Sequence, residues 1–274
     1  MTGRAGSPRV AALLPAWNSA AFIEPTLEAL AAQTYGSLEV LISDDASTDE
    51  THEICARFVL THPRFRLMRQ AKRQGWVGNV NALLREAEAD YFFFAFHDDP
   101  PRPTYVASLV ASLESNPRAV LAFSDVELDV KGTREHRSYT ELDGVRDHME
   151  RARRVIDRKG LWWIPNRGLF RAEAAARIGG MRRHLAGEYS ADWPWLLHLA
   201  LLGEFMRVPR PLITKVMRKG GLSMSWKPNV WNLLAVATAC SREIARSGIP
   251  IPDRMSLYRS LALREIKGMW WHIN

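Results

Sequence analysis

The 274-residue sequence predicts an α/β fold, a mostly parallel sheet flanked by helices, with a helical extension at the C-terminal end. Two observations carry this reading. In the first half, short apolar runs alternate with stretches of helical periodicity, the pattern of strand–helix–strand crossover units. Beyond Trp226 the strand-like runs stop and two helical patterns remain.

Residues 10–14, 38–42, 65–68, 91–96 and 120–123 read as five strands. Between the first two, Ile23, Leu27, Leu30 and Ala31 recur at helical spacing, and Pro25 fits only in the first turn of that helix. Ser47 and Glu50 read as a capping box opening the next helix. Helical runs follow at 77–87 and, after the Pro100-Pro101-Arg102-Pro103 breaker, at 105–113. Residues 127–159 are polar and weakly periodic, which predicts an excursion over the surface. Order returns at Leu161 with an apolar segment to Phe170, then a short helix to Ile178 stopped by Gly179-Gly180. A helix over about 192–202 precedes two strand-like runs at 205–208 and 212–217, and helices over 230–246 and 255–269 form the extension.

With 47% hydrophobic and 24% charged residues, the chain has the composition of a soluble globular protein with one sizeable core. Cys55 and Cys240 stand far apart in no metal-ligand spacing, which predicts neither disulfides nor zinc and fits a reducing compartment. No leader and no uncharged stretch long enough to cross a bilayer is visible, so the expected location is cytoplasmic. A formal charge of +7 favours an acidic partner: nucleotide phosphates, nucleic acid, an anionic lipid surface or an acidic glycan. No nucleic-acid-binding signature accompanies the charge, so nucleic acid is not an expected partner. The arginines between Arg146 and Arg154, and Arg182-Arg183, are interspersed with acids and read as solvated surface.

Ligands of open parallel sheets collect at the carboxyl ends of the strands. Here those ends are polar: Pro15-Ala16-Trp17-Asn18, then Ser43-Asp44-Asp45-Ala46-Ser47-Thr48-Asp49, then His97-Asp98-Asp99. Acidic and amide side chains on one rim suit a polar heterocycle and a hard cation. No glycine-rich phosphate loop follows the first strand, which argues against a sugar nucleotidyltransferase, a dinucleotide dehydrogenase and a phosphate-loop NTPase.

In their order and spacing these motifs resemble those of family 2 glycosyltransferases with the GT-A fold. The similarity continues through Asn81 after Gly75, Leu169-Phe170-Arg171, Ile178-Gly179-Gly180 and the helix opening at Ala191-Asp192, and it fades after Ser225. It implies a catalytic domain over 1–225, with a nucleotide-binding part at about 9–126 and an acceptor-side part at 127–225, followed by the extension at 226–274. It implies an inverting enzyme that moves a sugar from a nucleotide diphosphate donor, uridine diphosphate foremost, to a hydroxyl acceptor on a glycan, glycolipid or small molecule. The alternatives are a non-catalytic relative that binds nucleotide sugars and, despite the missing phosphate loop, a sugar nucleotidyltransferase.

The resemblance assigns Asp45 to the base, with Pro15, Ala16, Trp17 and Asn18 around the same nucleoside and Asn81 on the donor side. Trp17 reads equally as packing or as a wall of the base pocket. Lys72 and Arg73 are further candidates near the nucleotide. Asp98 and Asp99 match the acidic end of the family's DxD motif: Asp99 is assigned to a divalent cation, manganese or magnesium, and Asp98 to the ribose or the metal shell. Phe96 stands where many relatives have the first acid. Asp192 is the expected general base; Ala191 replaces a frequent acid beside it, and Glu188 is near. Arg218 or Lys219 would bind the diphosphate, in a stretch where the family's common histidine is missing. The closing Met269-Trp270-Trp271-His272-Ile273-Asn274, after Arg264 and Lys267, would touch a membrane interface, the catalytic domain or a dimer partner.

Overall fold

The computed structural model describes residues 6–217 and 229–273, with side chains to Ile266. Its sheet holds β1 (Val10–Ala16), β2 (Leu38–Asp44), β3 (Phe65–Arg69), β4 (Tyr91–Phe94), β5 (Ala119–Val130), β6 (Thr133–Arg137), β7 (Leu169–Arg171) and β8 (Glu204–Val216), in the order β3-β2-β1-β4-β7-β5-β6 with β8 on β5. The pairs β1–β2, β1–β4, β2–β3 and β5–β8 are parallel, while β4–β7, β5–β7 and β5–β6 are antiparallel. The first four strands are thus the parallel unit that the alternating pattern predicts.

The helices are α1 (Glu24–Ala31), α2 (Thr51–Thr61), α3 (Gly75–Glu86), α4 (Tyr105–Glu114), α5 (His148–Asp157), α6 (Ala172–Ile178), α7 (Asp192–Leu202), α8 (Val230–Arg246) and α9 (Ile251–Ile273). Every residue of β1 is buried, as a strand covered on both faces requires. Its Leu13 and Leu14 join Phe92, Phe94, Phe170 and Trp195 in a core that also takes in Val236, Cys240, Ile244, Leu257 and Leu261 of α8 and α9. The extension therefore packs into the same core as the sheet. Both cysteines are free and buried. No helix among the described residues is long and apolar enough to cross a membrane.

Three expectations are corrected here. Residues 127–159 are a surface excursion only in their first part: β5 runs on to Val130 and turns into β6, which is exposed along its length, but Tyr139 and Leu142 return to the core and α5 follows with Met149, Ala152, Val155 and Ile156 buried. The helical stripe is masked in the sequence by Arg151, which is itself buried and donates to the carbonyls of Ala200 (2.8 Å), Val145 (2.9 Å) and Arg146 (3.1 Å). The two strand-like runs after α7 are one strand, β8, whose register against β5 skips from Val208 opposite Ser124 to Pro211 opposite Asp125. Pro209 and Pro211 lack the N–H to continue the ladder, so the strand bulges instead of ending. The Ser47–Glu50 capping box is not made either. Helix α2 begins at Thr51; Asp49 accepts from the Thr51 N–H (3.1 Å), and the Ser47 hydroxyl accepts from the Asn18 N–H (3.0 Å).

Candidate active site

Because β2, β1 and β4 are parallel neighbours, their carboxyl ends share one rim, and Ala16 pairs directly with Asp44. The Asp45 N–H donates to Ala16 O (2.9 Å), and His97 Nδ1 lies 3.3 Å from Pro15 O, so the three polar strand ends are linked, two through backbone and the third through the imidazole. Pro15, Ala16, Trp17, Asp45 and Asp98 therefore lie at neighbouring strand ends on one rim.

Asp45 is almost fully buried, and its oxygens accept from the N–H groups of Gln74 (2.5 Å) and Gly75 (2.8 Å) at the start of α3. Burial pushes its carboxyl up, against the pull of those two bonds and of Arg73. Each oxygen keeps a second lone pair, so the group can still accept from a base N–H. Gly75 is obligatory at this turn: its φ is +72°, and a side chain there would meet Glu188 Oε1 at 2.6 Å. Glu188 accepts from the Trp76 and Val77 N–H groups, both at 3.0 Å, and so caps α3. Trp17 is 39% exposed, which separates it from the core, and the Arg73 guanidinium lies 3.5 Å from its ring centroid. Lys72 is exposed and has no ion-pair partner among the described residues.

Two of the amides expected near the nucleotide pin backbone segments together. Asn18 sits at φ 45°, and its carbonyl accepts from the Thr48 N–H (2.9 Å), pinning the loop after β1 to the loop after β2. Asn81 clamps Met181 at both ends, donating to its carbonyl (2.8 Å) and accepting from its N–H (3.0 Å). A reciprocal amide pair of this kind fixes the acceptor-side segment to α3 and leaves the side chain committed.

At the end of β4 the acids are already neutralised by the chain itself. Asp99 is 1% exposed; one oxygen accepts from Arg167 Nε at 2.6 Å, the other from Lys215 Nζ at 3.0 Å. Lys215 Nζ is also 3.6 Å from Asp98. The Phe96 ring, at the position of the family's first acid, lies under the Arg167 guanidinium at 4.7 Å. The described residues thus hold no preformed divalent-cation site: each Asp99 oxygen already faces a positive charge, Asp98 faces an ammonium, and Phe96 offers no ligand. No group of three or more His, Cys, Asp or Glu able to hold a metal occurs among the described residues. Arg218 and Lys219, the expected diphosphate ligands, lie outside the described residues.

Asp192 opens α7, just after Ser190 in the left-handed region at φ 49°. Its Oδ2 accepts from Asn166 Nδ2 (3.1 Å), and burial raises its carboxyl above the ordinary range although Arg158 and Arg167 pull it down. Arg167 thereby acts on both Asp99 and Asp192. It sits with Asn166 in a 3-10 turn, Ile164–Arg167, directly before β7.

A family model described as glycosyl transferase family 2 matches residues 12–176, which take in β1 through α6. The chain belongs to glycosyl transferase family 2. Among curated relatives, the glycosyltransferase GlyG of Streptococcus pneumoniae is 25% identical over 108 residues, 39% of this chain and 36% of that one. The chain spans well under two thirds of the length of the first curated relatives it matches. Among solved structures, Staphylococcus aureus TarS 1–349 in complex with UDP-GlcNAc superposes with a TM-score of 0.75 at 15% identity, covering 94% of this chain and 73% of TarS. The mannosyltransferase PcManGT of Pyrobaculum calidifontis, in complex with GDP-Man and Mn2+, gives 0.61 at 18% identity, covering 95% and 70%. At these identities the likeness shows the fold, which is the GT-A arrangement of this glycosyltransferase family.

The family's motifs brought the sequence reading to Asp45, Asp98, Asp99 and Asp192, and missed Asn166, Arg167 and Lys215. A signal for the first two was present: Pro165-Asn166-Arg167 is a polar interruption inside an otherwise apolar segment. Lys215 had none, because a lysine in an amphipathic strand reads as a solvent-facing residue.

Proposed function

We propose that this family 2 chain transfers a sugar from a nucleoside diphosphate donor, uridine diphosphate first among them, to a hydroxyl acceptor with inversion at the anomeric carbon. The observation that carries the reading is the convergence of an open indole, Trp17, and a buried carboxylate, Asp45, on the rim that also bears Asp98. An aromatic face and an acceptor for a base N–H are what a nucleoside needs.

In the reaction the acceptor hydroxyl gives its proton to the Asp192 carboxylate while its oxygen forms the new bond to the anomeric carbon. The bond to the diphosphate breaks on the opposite face and takes its electron pair to the departing oxygen. Asn166 orients the base through its 3.1 Å bond to Oδ2. No step is assigned to a divalent cation, for which the acids at the end of β4 do not fit.

Calorimetric titration with UDP, GDP and dTDP tests the donor site. Binding of one nucleotide is expected, and Asp45→Ala should weaken it about 10-fold or more, since it removes a charge-assisted contact. A chain that binds none of the three is not a nucleotide-dependent transferase.

The raised carboxyl of Asp192 sets a pH dependence. The base works only when ionised, so transfer should be full above its folded-state pKa and fall as pH drops through it, at a pH above that of an ordinary aspartate. A pH profile of kcat/KM checks this: an acid limb at or below the ordinary aspartate range would remove Asp192 from the role.

A further inference from the structure

The strongest unassigned feature of the site is Lys215. Its side chain is only 15% exposed, and its ammonium lies 3.0 Å from Asp99 Oδ1 and 3.6 Å from Asp98 Oδ2. Backbone register holds it there. The Arg102 N–H donates to Leu212 O (2.8 Å), the Thr214 N–H donates to Pro100 O (3.1 Å), and Pro101 bridges Ile213, so β8 is tied to the chain directly after Asp99. The lysine, on β8, is thus held beside the loop that carries the acids. Asp99's remaining oxygen belongs to Arg167. Two carboxylates face two cations, and the cluster is balanced without any further charge.

A divalent cation placed between Asp98 and Asp99 would have to displace this ammonium or sit against it, and at such distances like charges repel strongly in a partly dry site. Conversely, an ammonium has three N–H donors. Asp99 takes one of them, while Asp98 at 3.6 Å is a neighbouring charge rather than a hydrogen-bond acceptor, so a donor remains for a phosphate oxygen, and lysine binds phosphate as a point charge.

We propose that Lys215 occupies the electrostatic place of a divalent cation: its ammonium binds the donor diphosphate and stabilises the charge that the diphosphate gains as the bond to the sugar breaks, so that this chain needs no divalent metal. The proton stays on Lys215 throughout, and the departing oxygen takes the bonding pair. Asp98 and Asp99 are then positioning residues for the lysine. The inference rests on the proposed donor site.

The test is titration of UDP into the full chain, in EDTA and in manganese, for wild type, Lys215→Met and Lys215→Arg, with thermal melts to establish that each variant is folded. Wild-type affinity should be equal within about twofold in the two conditions. In EDTA, Lys215→Met should lose about 10- to 100-fold, the worth of one charged hydrogen bond. Lys215→Arg should retain most of the affinity, since the charge is kept. Added manganese should restore Lys215→Met, because the freed carboxylates then resemble a cation site. Wild-type binding that vanishes in EDTA would overturn the inference and leave the donor site standing, as would a Lys215→Met protein that binds UDP in EDTA as tightly as wild type. Absence of nucleotide binding by wild type in both conditions would overturn the donor site and the inference together.

Discussion

Asp192→Asn is expected to lower turnover by about 10²- to 10⁴-fold, the range that a positioned general base contributes, while UDP affinity stays within about twofold. The substitution keeps the shape of the side chain and a carbonyl oxygen to accept from Asn166, so the geometry at the start of α7 should survive. What it removes is the negative charge and the basicity. Arg158 then loses a favourable neighbour in a site where burial already disfavours its charge, and a modest fall in stability is expected with the loss of turnover. Asp192→Glu separates the two effects. It restores the charge near Arg158 but moves the carboxylate by one methylene, so stability should recover more than activity. Sugar release or transfer from a UDP-sugar panel gives the rate and calorimetry the affinity. Equal turnover in Asp192→Asn and wild type would sink the assignment.

Legibility of the fold followed the strength of the local pattern. Helix α8 lies where the periodicity puts it, β1 and the start of β5 fall on continuous apolar runs, and β2 and β3 fall on apolar runs broken by Glu39 and Arg66. The failures share a cause. Helix α5 hides its buried stripe behind Arg151, whose burial is made tolerable by three backbone carbonyls that no sequence pattern announces. Strand β8 looks like two strands because prolines interrupt it, whereas pairing along the length of β5 holds the pieces in one ladder.

The site divides in the same way. Asp45, Asp98 and Asp192 stand at strand ends or a helix start, places that topology alone makes functional candidates. Asn18 follows a strand end and Asn81 lies inside α3, and their amides are complementary to nearby backbone groups, which only coordinates reveal. Asp99 shows the limit of motif reading most clearly. A carboxylate at a metal motif and a carboxylate in a buried ion pair are the same letter, and the partners that decide between them, Arg167 and Lys215, are 68 and 116 residues away.

The turn carrying Asn166 and Arg167 leads to the second large expectation: Gly168→Ala should cost about 3 kcal/mol, the upper end for forcing a methyl into filled space, and lower Tm by about 6–12 °C. The backbone conformation is not the obstacle, since φ is −102° and any residue can adopt it. Space is. A Cβ would sit 2.5 Å from Ala122 O, 2.5 Å from a Leu121 methyl and 2.9 Å from Pro165 O. Leucine can rotate away, but the two carbonyls belong to β5 and to the turn itself, whose closing bond runs from the Gly168 N–H to Pro165 O (3.0 Å). Relief requires β7 to part from β5 or the turn to open. Either movement displaces Asn166 from Asp192 and Arg167 from Asp99, so in whatever fraction stays folded, kcat should fall further than UDP affinity. Gly36→Ala, where no atom lies within 4 Å of the added methyl, is the control and should melt with wild type. A Gly168→Ala protein with wild-type Tm and kcat would mean that β5 and the turn yield at little cost, and that Asn166 and Arg167 are not held in place by this contact.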